Sequence, residues 1–187
     1  MTHRPLFISS ALAAATLLSA CAGTMMATPP AAMFSQDMLP AAVQVPAGHR
    51  VAMETVGAGE IVYECREKAA MPSQHEWVFV GPTATLKDRS GRAVGRYFGP
   101  PATWELQDGS SLTGTQVAVV PSAPGNISLQ LVKSNAAMGS GALVGVTHVQ
   151  RVQTRGGVAP ALPCGAADTG RREVVKYQAD YIFWKAA

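Results

Sequence analysis

Residues able to do acid–base, metal or nucleophilic chemistry are thinly spread along this chain. His49, His75 and His148 have no ligand-type partner at i+2 or i+4, so a metal site would have to be assembled by the fold alone. No metal or cofactor is expected on this pattern. There is no G-x-S-x-G, no P-loop, and no G-x-G-x-x-G between a strand and a helix; Gly139-Ser140-Gly141 and Gly156-Gly157 read as loops. Glu105 and Asp108 are close enough in sequence to suggest the paired carboxylates of sugar chemistry. One falls on a strand and the other in the following turn, which favours solvated turn residues. Trp77, Trp104 and Trp184 could stack on a carbohydrate, yet each has apolar neighbours at i±2 and reads first as core. Trp104 follows Gly99-Pro100-Pro101 and keeps the better claim to a ligand.

Two charged residues stand on otherwise apolar strand segments. Arg151 shares a face with Thr147 and Val149, and Asp180 shares one with Gln178 and Ile182. Burying either charge alone would cost several kcal/mol, so an internal ion pair is expected, Arg151 with Asp180 or with Asp108 or Glu105. The competing assignment puts Arg151 on a ligand-binding loop face together with Trp104 and Asp108.

The third class of reactive residue is cysteine. Leu6 to Leu18 is apolar apart from Ser9, Ser10 and Thr16 and follows Arg4, a length that suits a signal-peptide core better than a membrane span of ~20 residues. The run ends in Leu18-Ser19-Ala20-Cys21, which resembles a bacterial lipobox. Cys21 is therefore the expected lipidation site, and resemblance to diderm lipoproteins with Ala rather than Asp after the cysteine implies the outer membrane; ordinary cleavage after Ala22 is the alternative. Only Cys65 and Cys164 then remain, in a compartment that permits oxidation, and they are expected to form one disulfide.

These residues must be positioned by what remains of 187 residues, 48% apolar and 14% charged, with a formal net charge of +3. That composition suits one globular domain and no nucleic-acid surface, since the basic residues form no stripe. Residues 1–20 are assigned to the signal peptide, 21–46 to a lipidated cysteine and a flexible Ala/Pro/Met-rich tether, and 47–187 to the folded domain. Met33-Phe34 and Met38-Leu39 could instead dock on that domain. From Val43 onward, short alternating runs recur every 8 to 14 residues between Gly, Pro and Asp-Gly breaks, without a sustained helical period. The expected fold is all-β, a single β-sandwich or partly closed barrel of about 8–10 mainly antiparallel strands. Candidate strands are Arg50–Thr55, Glu60–Arg66, Glu76–Val80, Thr83–Lys87, Ala93–Phe98, Thr103–Gln107, Leu112–Val120, Ile127–Lys133, Leu143–Gln153 and Glu173–Trp184. In the last, Val175, Tyr177, Ala179, Tyr181 and Phe183 face one way.

Taken in order, Tyr63-Glu64-Cys65, Trp77 with Gly81-Pro82-Thr83, Gly91-Arg92-Ala93-Val94-Gly95 and Trp104-Glu105-Leu106-Gln107-Asp108-Gly109-Ser110 form a recognisable series. It continues through Val146-Thr147-His148-Val149-Gln150-Arg151, Gly156-Gly157-Val158-Ala159-Pro160, Cys164 and Tyr177-Gln178-Ala179-Asp180-Tyr181. The series resembles an uncharacterised secreted family, domain of unknown function 3455, along most of Gly59 to Trp184. The family pattern has a His where this chain has Arg96-Tyr97-Phe98, and a Trp near Ser128-Leu129. A catalytic role resting on that histidine does not carry over. The resemblance implies a secreted, β-rich, disulfide-bridged domain and adds no reaction.

Three functions fit these observations. The favoured one is a non-catalytic envelope lipoprotein, held to the membrane by its N-terminal lipid and binding a small molecule, glycan or envelope protein. An unrecognised periplasmic or extracellular hydrolase or oxidoreductase is the second, and a purely structural envelope protein the third. A cleft with converging polar groups would separate the first two from the last.

Overall fold

The computed structural model describes Met1 and residues 34–187; the expected signal peptide, apart from Met1, and Cys21 lie outside the described residues. Eight strands follow one another: β1 (His49–Lys68), β2 (Met71–Lys87), β3 (Ala93–Phe98), β4 (Thr103–Leu106), β5 (Ser111–Val120), β6 (Leu129–Ser134), β7 (Val146–Gly156) and β8 (Arg172–Ala186). Each pairs antiparallel with the next, and β8 returns to β1, so the sheet closes into a barrel. Of the two architectures left open by the sequence, the barrel is the one formed.

Two pairs of candidate strands are single long strands. Glycines 57 and 59, which read as breaks, sit inside β1. A Cβ at Gly57 would stand 2.5 Å from the Tyr181 ring, and one at Gly59 2.0 Å from the Thr83 carbonyl oxygen. These glycines let the strand pass close to its neighbours; they do not end it. Gly81 continues β2 in the same way, with Gly99 against it.

Since successive residues alternate faces, the barrel has an inner and an outer set. Inside, Trp104 lies between Tyr97, Tyr181 and Phe183, with ring centroids 4.9, 5.9 and 6.4 Å away. Leu86, Leu112, Leu143 and Val149 complete this core. An eight-stranded barrel has room for such side chains or for one small ligand. Outside, Leu131, Val152, Ile182 and Trp184 form a second apolar patch, covered by Val43 and Val45.

For residues 34–45 that cover replaces the flexible tether with the docked alternative; residues 21–33 lie outside the described residues. Residues 34–45 pack on the barrel wall through the single 3-10 turn Ala41–Val43. Buried Gln150 fixes them: its amide donates to the Val43 carbonyl at 2.7 Å and to Gln36 Oε1 at 3.0 Å, while its oxygen accepts from Trp184 Nε1 at 2.8 Å. Gln36 closes the loop by accepting from the Val45 amide. The composition of this segment hid its role because its apolar residues have no regular period.

The expected disulfide is present, with the Cys65 and Cys164 Cα atoms 5.6 Å apart. It joins the far half of the β1–β2 hairpin to the long β7–β8 connection. Cys65 also exchanges backbone hydrogen bonds with Gly170 and Arg171, and Trp77 Nε1 donates to the Leu162 carbonyl at 2.9 Å.

Candidate functional site

Because every connection is a hairpin, alternate turns gather at opposite ends of the barrel. The β2–β3, β4–β5 and β6–β7 turns lie at one end, and the β1–β2, β3–β4, β5–β6 and β7–β8 turns at the other. Trp104, Asp108 and Arg151 therefore do not form one loop face. Trp104 is 1% exposed in the interior, Asp108 belongs to the first end, and Arg151 opens toward the second.

At the first end Asp108 clamps two loops together. Its carboxylate accepts from the Ser110 amide and hydroxyl at 2.9 and 2.6 Å and from the Ala142 amide at 2.7 Å. These donors hold the carboxyl below its ordinary value of 3.8, the Ala142 amide contributing most. A depressed folded value stabilises the protein above pH ~4, and the contribution disappears as pH falls through that value. Asp108→Ala is expected to cost about 1 kcal/mol at neutral pH, discounted for exposure, and to flatten the acid limb of a stability profile measured by urea denaturation. Unchanged acid dependence in the variant would refute the clamp. Glu105 faces outward and pairs with Arg96 at 3.0 Å, so the two carboxylates share no site.

The ion pair expected between Arg151 and Asp180 does not form. Across the β7–β8 ladder Arg151 stands opposite Tyr181, and Asp180 stands opposite Val152. Directly opposed residues share a face. Arg151 thus points inward with Tyr181, and Asp180 outward with Val152, on the two sides of one sheet. Asp180 is answered by Arg89 of the β2–β3 turn at 2.7 Å, and Arg89 also pairs with Glu54 at 2.6 Å. Glu54 in turn accepts from the Phe34 amide, which ties the N-terminal segment into the same outer network.

Arg151 has no carboxylate partner among the described residues. Its Nε and Nη2 donate to the Ser128 carbonyl at 3.1 and 3.0 Å. The guanidinium, half-buried, forms part of the wall of a cleft of about 370 Å³ at the second end of the barrel. Tyr63, Phe79, Val119, Asn126, Ile127 and Val158 contribute to the same wall. Tyr63 turns inward beside Ile61 and donates from its hydroxyl to the Gly157 carbonyl at 2.8 Å. Gly157 adopts φ +84°, and a Cβ there would press on Ile127 and Tyr177 at 2.9 Å. Only glycine lets the chain turn so close to the mouth. Asn126 Oδ1 accepts from the Gly156 amide at 2.8 Å, which leaves its Nδ2 as a donor.

Below the cleft lie three more tyrosines. Tyr177 and Tyr181 hydroxyls are 3.2 Å apart, and the Tyr97 and Tyr181 ring centroids are 4.9 Å apart. Burial pushes all four phenols above their ordinary value, while the Arg151 charge pulls each back only partly. They are neutral at physiological pH and offer hydrogen bonds, not general-base catalysis. Among the described residues no group of three or more His, Cys, Asp or Glu side chains is placed to hold a metal. His49 and His148 pack edge to face at 4.9 Å away from the cleft, and His75 meets Thr169.

The three tryptophans are likewise separated. Trp184 is buried on the outer face by the N-terminal segment, Trp104 fills the interior, and Trp77 lies along the β7–β8 connection with Arg171 5.8 Å above its ring. They form no joint stacking platform. The cleft residues Phe79, Val119 and Val158 went unnoticed in the sequence because they read as ordinary strand and loop apolar positions; only closure of the barrel shows that they ring an opening.

A family model described as "Protein of unknown function (DUF3455)" matches residues 46–185. No curated protein and no solved structure matches the chain.

Proposed function

Given that the chain belongs to the DUF3455 family of unknown function, we propose that it is a cell-envelope lipoprotein whose barrel is a non-catalytic module binding a small molecule at its open end. The observation that carries this reading is the apolar rim of the cleft. Phe79, Val119 and Val158 are 50%, 47% and 41% exposed around one concavity. Isolated exposed apolar side chains are ordinary, but several ringing a cleft with polar groups at its base are a common signature of a binding site. The neutral tyrosines and the single arginine suit holding a ligand better than transforming it. Lipidation at Cys21 rests on the lipobox and would attach the domain to the outer membrane by acyl chains.

Native mass spectrometry of protein taken from its own host envelope tests both parts. The expected spectrum carries diacylglycerol on Cys21 and a non-covalent small molecule, and Cys21→Ala moves the protein out of the membrane fraction. Val119→Trp, which fills the cleft from an inward-facing strand position, is expected to abolish the retained ligand while leaving the melting temperature within a few degrees. An unmodified amino terminus overturns the anchor; a ligand unaffected by Val119→Trp overturns the site.

A further inference from the structure

The cleft's charge is unbalanced in a way that identifies what it takes. Among the described residues Arg151 is the only charged one in its wall. The ion pairs of Arg89 with Glu54 and Asp180, Arg96 with Glu105, and Arg172 with Glu64 involve none of the residues that line the cleft. The Ser128 carbonyl satisfies two of the Arg151 nitrogens and fixes the plane of the guanidinium, but supplies no negative charge. Nη1 has no hydrogen-bond partner among the described residues. A half-buried guanidinium beside buried phenols is stabilised by a counter-anion, and its planar fork fits a carboxylate in two parallel bonds.

We propose, building on the binding-module reading, that the ligand is an organic monocarboxylate with an apolar body. Its carboxylate meets Arg151, assisted by Asn126 Nδ2, and its tail lies against Ile127, Phe79, Val119 and Val158. Three observations select this class. One cation with no second lysine or arginine in the wall matches a single negative charge, whereas a phosphate dianion calls for more than one. The apolar rim is wasted on an inorganic ion. The volume, about 370 Å³, is near the small end of ligand pockets, which run from roughly 300 Å³ upward, and so suits a medium-chain or aromatic acid better than an intact lipid. The arrangement also explains why Arg151 is inward at all: an arginine serving the sheet alone would be cheaper on the outer face, where its neighbours at 150 and 152 instead pack beneath the N-terminal segment.

Calorimetric titration of the mature, disulfide-intact protein with octanoate, 1-octanol and inorganic phosphate tests the proposal. Octanoate is expected to bind one to one, more than tenfold tighter than either of the others. Arg151→Gln should weaken octanoate at least tenfold without changing 1-octanol, and Arg151→Lys should recover part of the loss, since an ammonium keeps the charge but not the fork. Circular dichroism melts of both variants establish that they remain folded; should Arg151→Gln fail to fold, the octanoate-to-octanol ratio in the unaltered protein still decides. Equal affinity for octanoate and 1-octanol with no effect at Arg151 overturns the carboxylate while leaving a ligand-binding mouth. Phosphate binding as tightly as octanoate overturns the apolar body. Octanoate binding undiminished by Val119→Trp overturns the mouth itself, and with it the reading on which this inference rests.

Discussion

Replacing Cys65 and Cys164 together by serine is expected to lower stability by a few kcal/mol and to loosen the barrel's open end without dissolving its core. The bridge spans a sequence separation of 99. For a closed loop of about that size the chain-entropy model gives an upper figure of ~4.7 kcal/mol, most of it from restriction of the unfolded chain. The local consequence follows from what the bridge touches. Between Gly156 and Arg172 the chain contains only the 3-10 turn Ala166–Asp168, so its order depends on tie points. These include the disulfide, the backbone pairing of Cys65 with Gly170 and Arg171, and the bonds of Trp77 to Leu162, Tyr63 to Gly157 and His75 with Thr169. The same connection carries Val158 and the Gly157 carbonyl, one wall of the cleft. Removing the disulfide should therefore raise amide exchange from 157 to 171 and weaken octanoate binding, while exchange at Tyr181 and Phe183 in the core is slowed by closure of the barrel as before. Urea denaturation with hydrogen exchange measures both effects. A double variant as stable as its parent, with unaltered exchange in that connection, would show that the bridge is dispensable.

How much of this was legible in the sequence depended on whether a feature is local. The alternation of Tyr177, Ala179, Tyr181 and Phe183 needs only a two-residue period to reveal an inward face, and the structure places all four inside. The disulfide followed from having two cysteines left. Closure of the sheet was not legible, because nothing in β1 alone says that it pairs with both β2 and β8. Gly57 and Gly59 misled for a related reason. A glycine that ends a strand and a glycine that lets another strand approach look the same until the neighbour, Tyr181 or Ala84, is known. The error over Arg151 and Asp180 was one of face. The register across β7 and β8 sets the two charges on opposite sides of the sheet, out of each other's reach. Asp180 found Arg89, 91 residues away in sequence, and Arg151 was left facing the cleft. The site emerged from that residue charge, a non-local quantity.

A chain shortened to begin at residue 46, where the family match starts, is expected to fold into the same barrel but to be less stable and to self-associate. Val152 and Ile182 are fully buried although they point away from the barrel interior, and Leu131 and Trp184 are nearly so. Their burial comes from residues 34–45, of which Val43 and Val45 are 0% and 3% exposed. Burial of these six side chains, about 1.5–3 kcal/mol each, is set against the cost of ordering a dozen residues, which is of the same order. Truncation also strips Gln150 of the Val43 carbonyl and Gln36, leaving a buried amide with only Trp184 as partner until water reaches it. The exposed patch that results is contiguous and apolar, which favours association between copies. Gln150→Leu separates the two causes: in the longer chain it should cost stability by orphaning Trp184 Nε1 and the Val43 carbonyl, and in the shortened chain it should cost less, because the segment it anchors is already gone. Chemical denaturation of the four proteins, with light scattering for association, gives the coupling directly. If the shortened chain is as stable and as monomeric as its parent, or if Gln150→Leu costs the same in both, the segment does not serve as the barrel's outer cover.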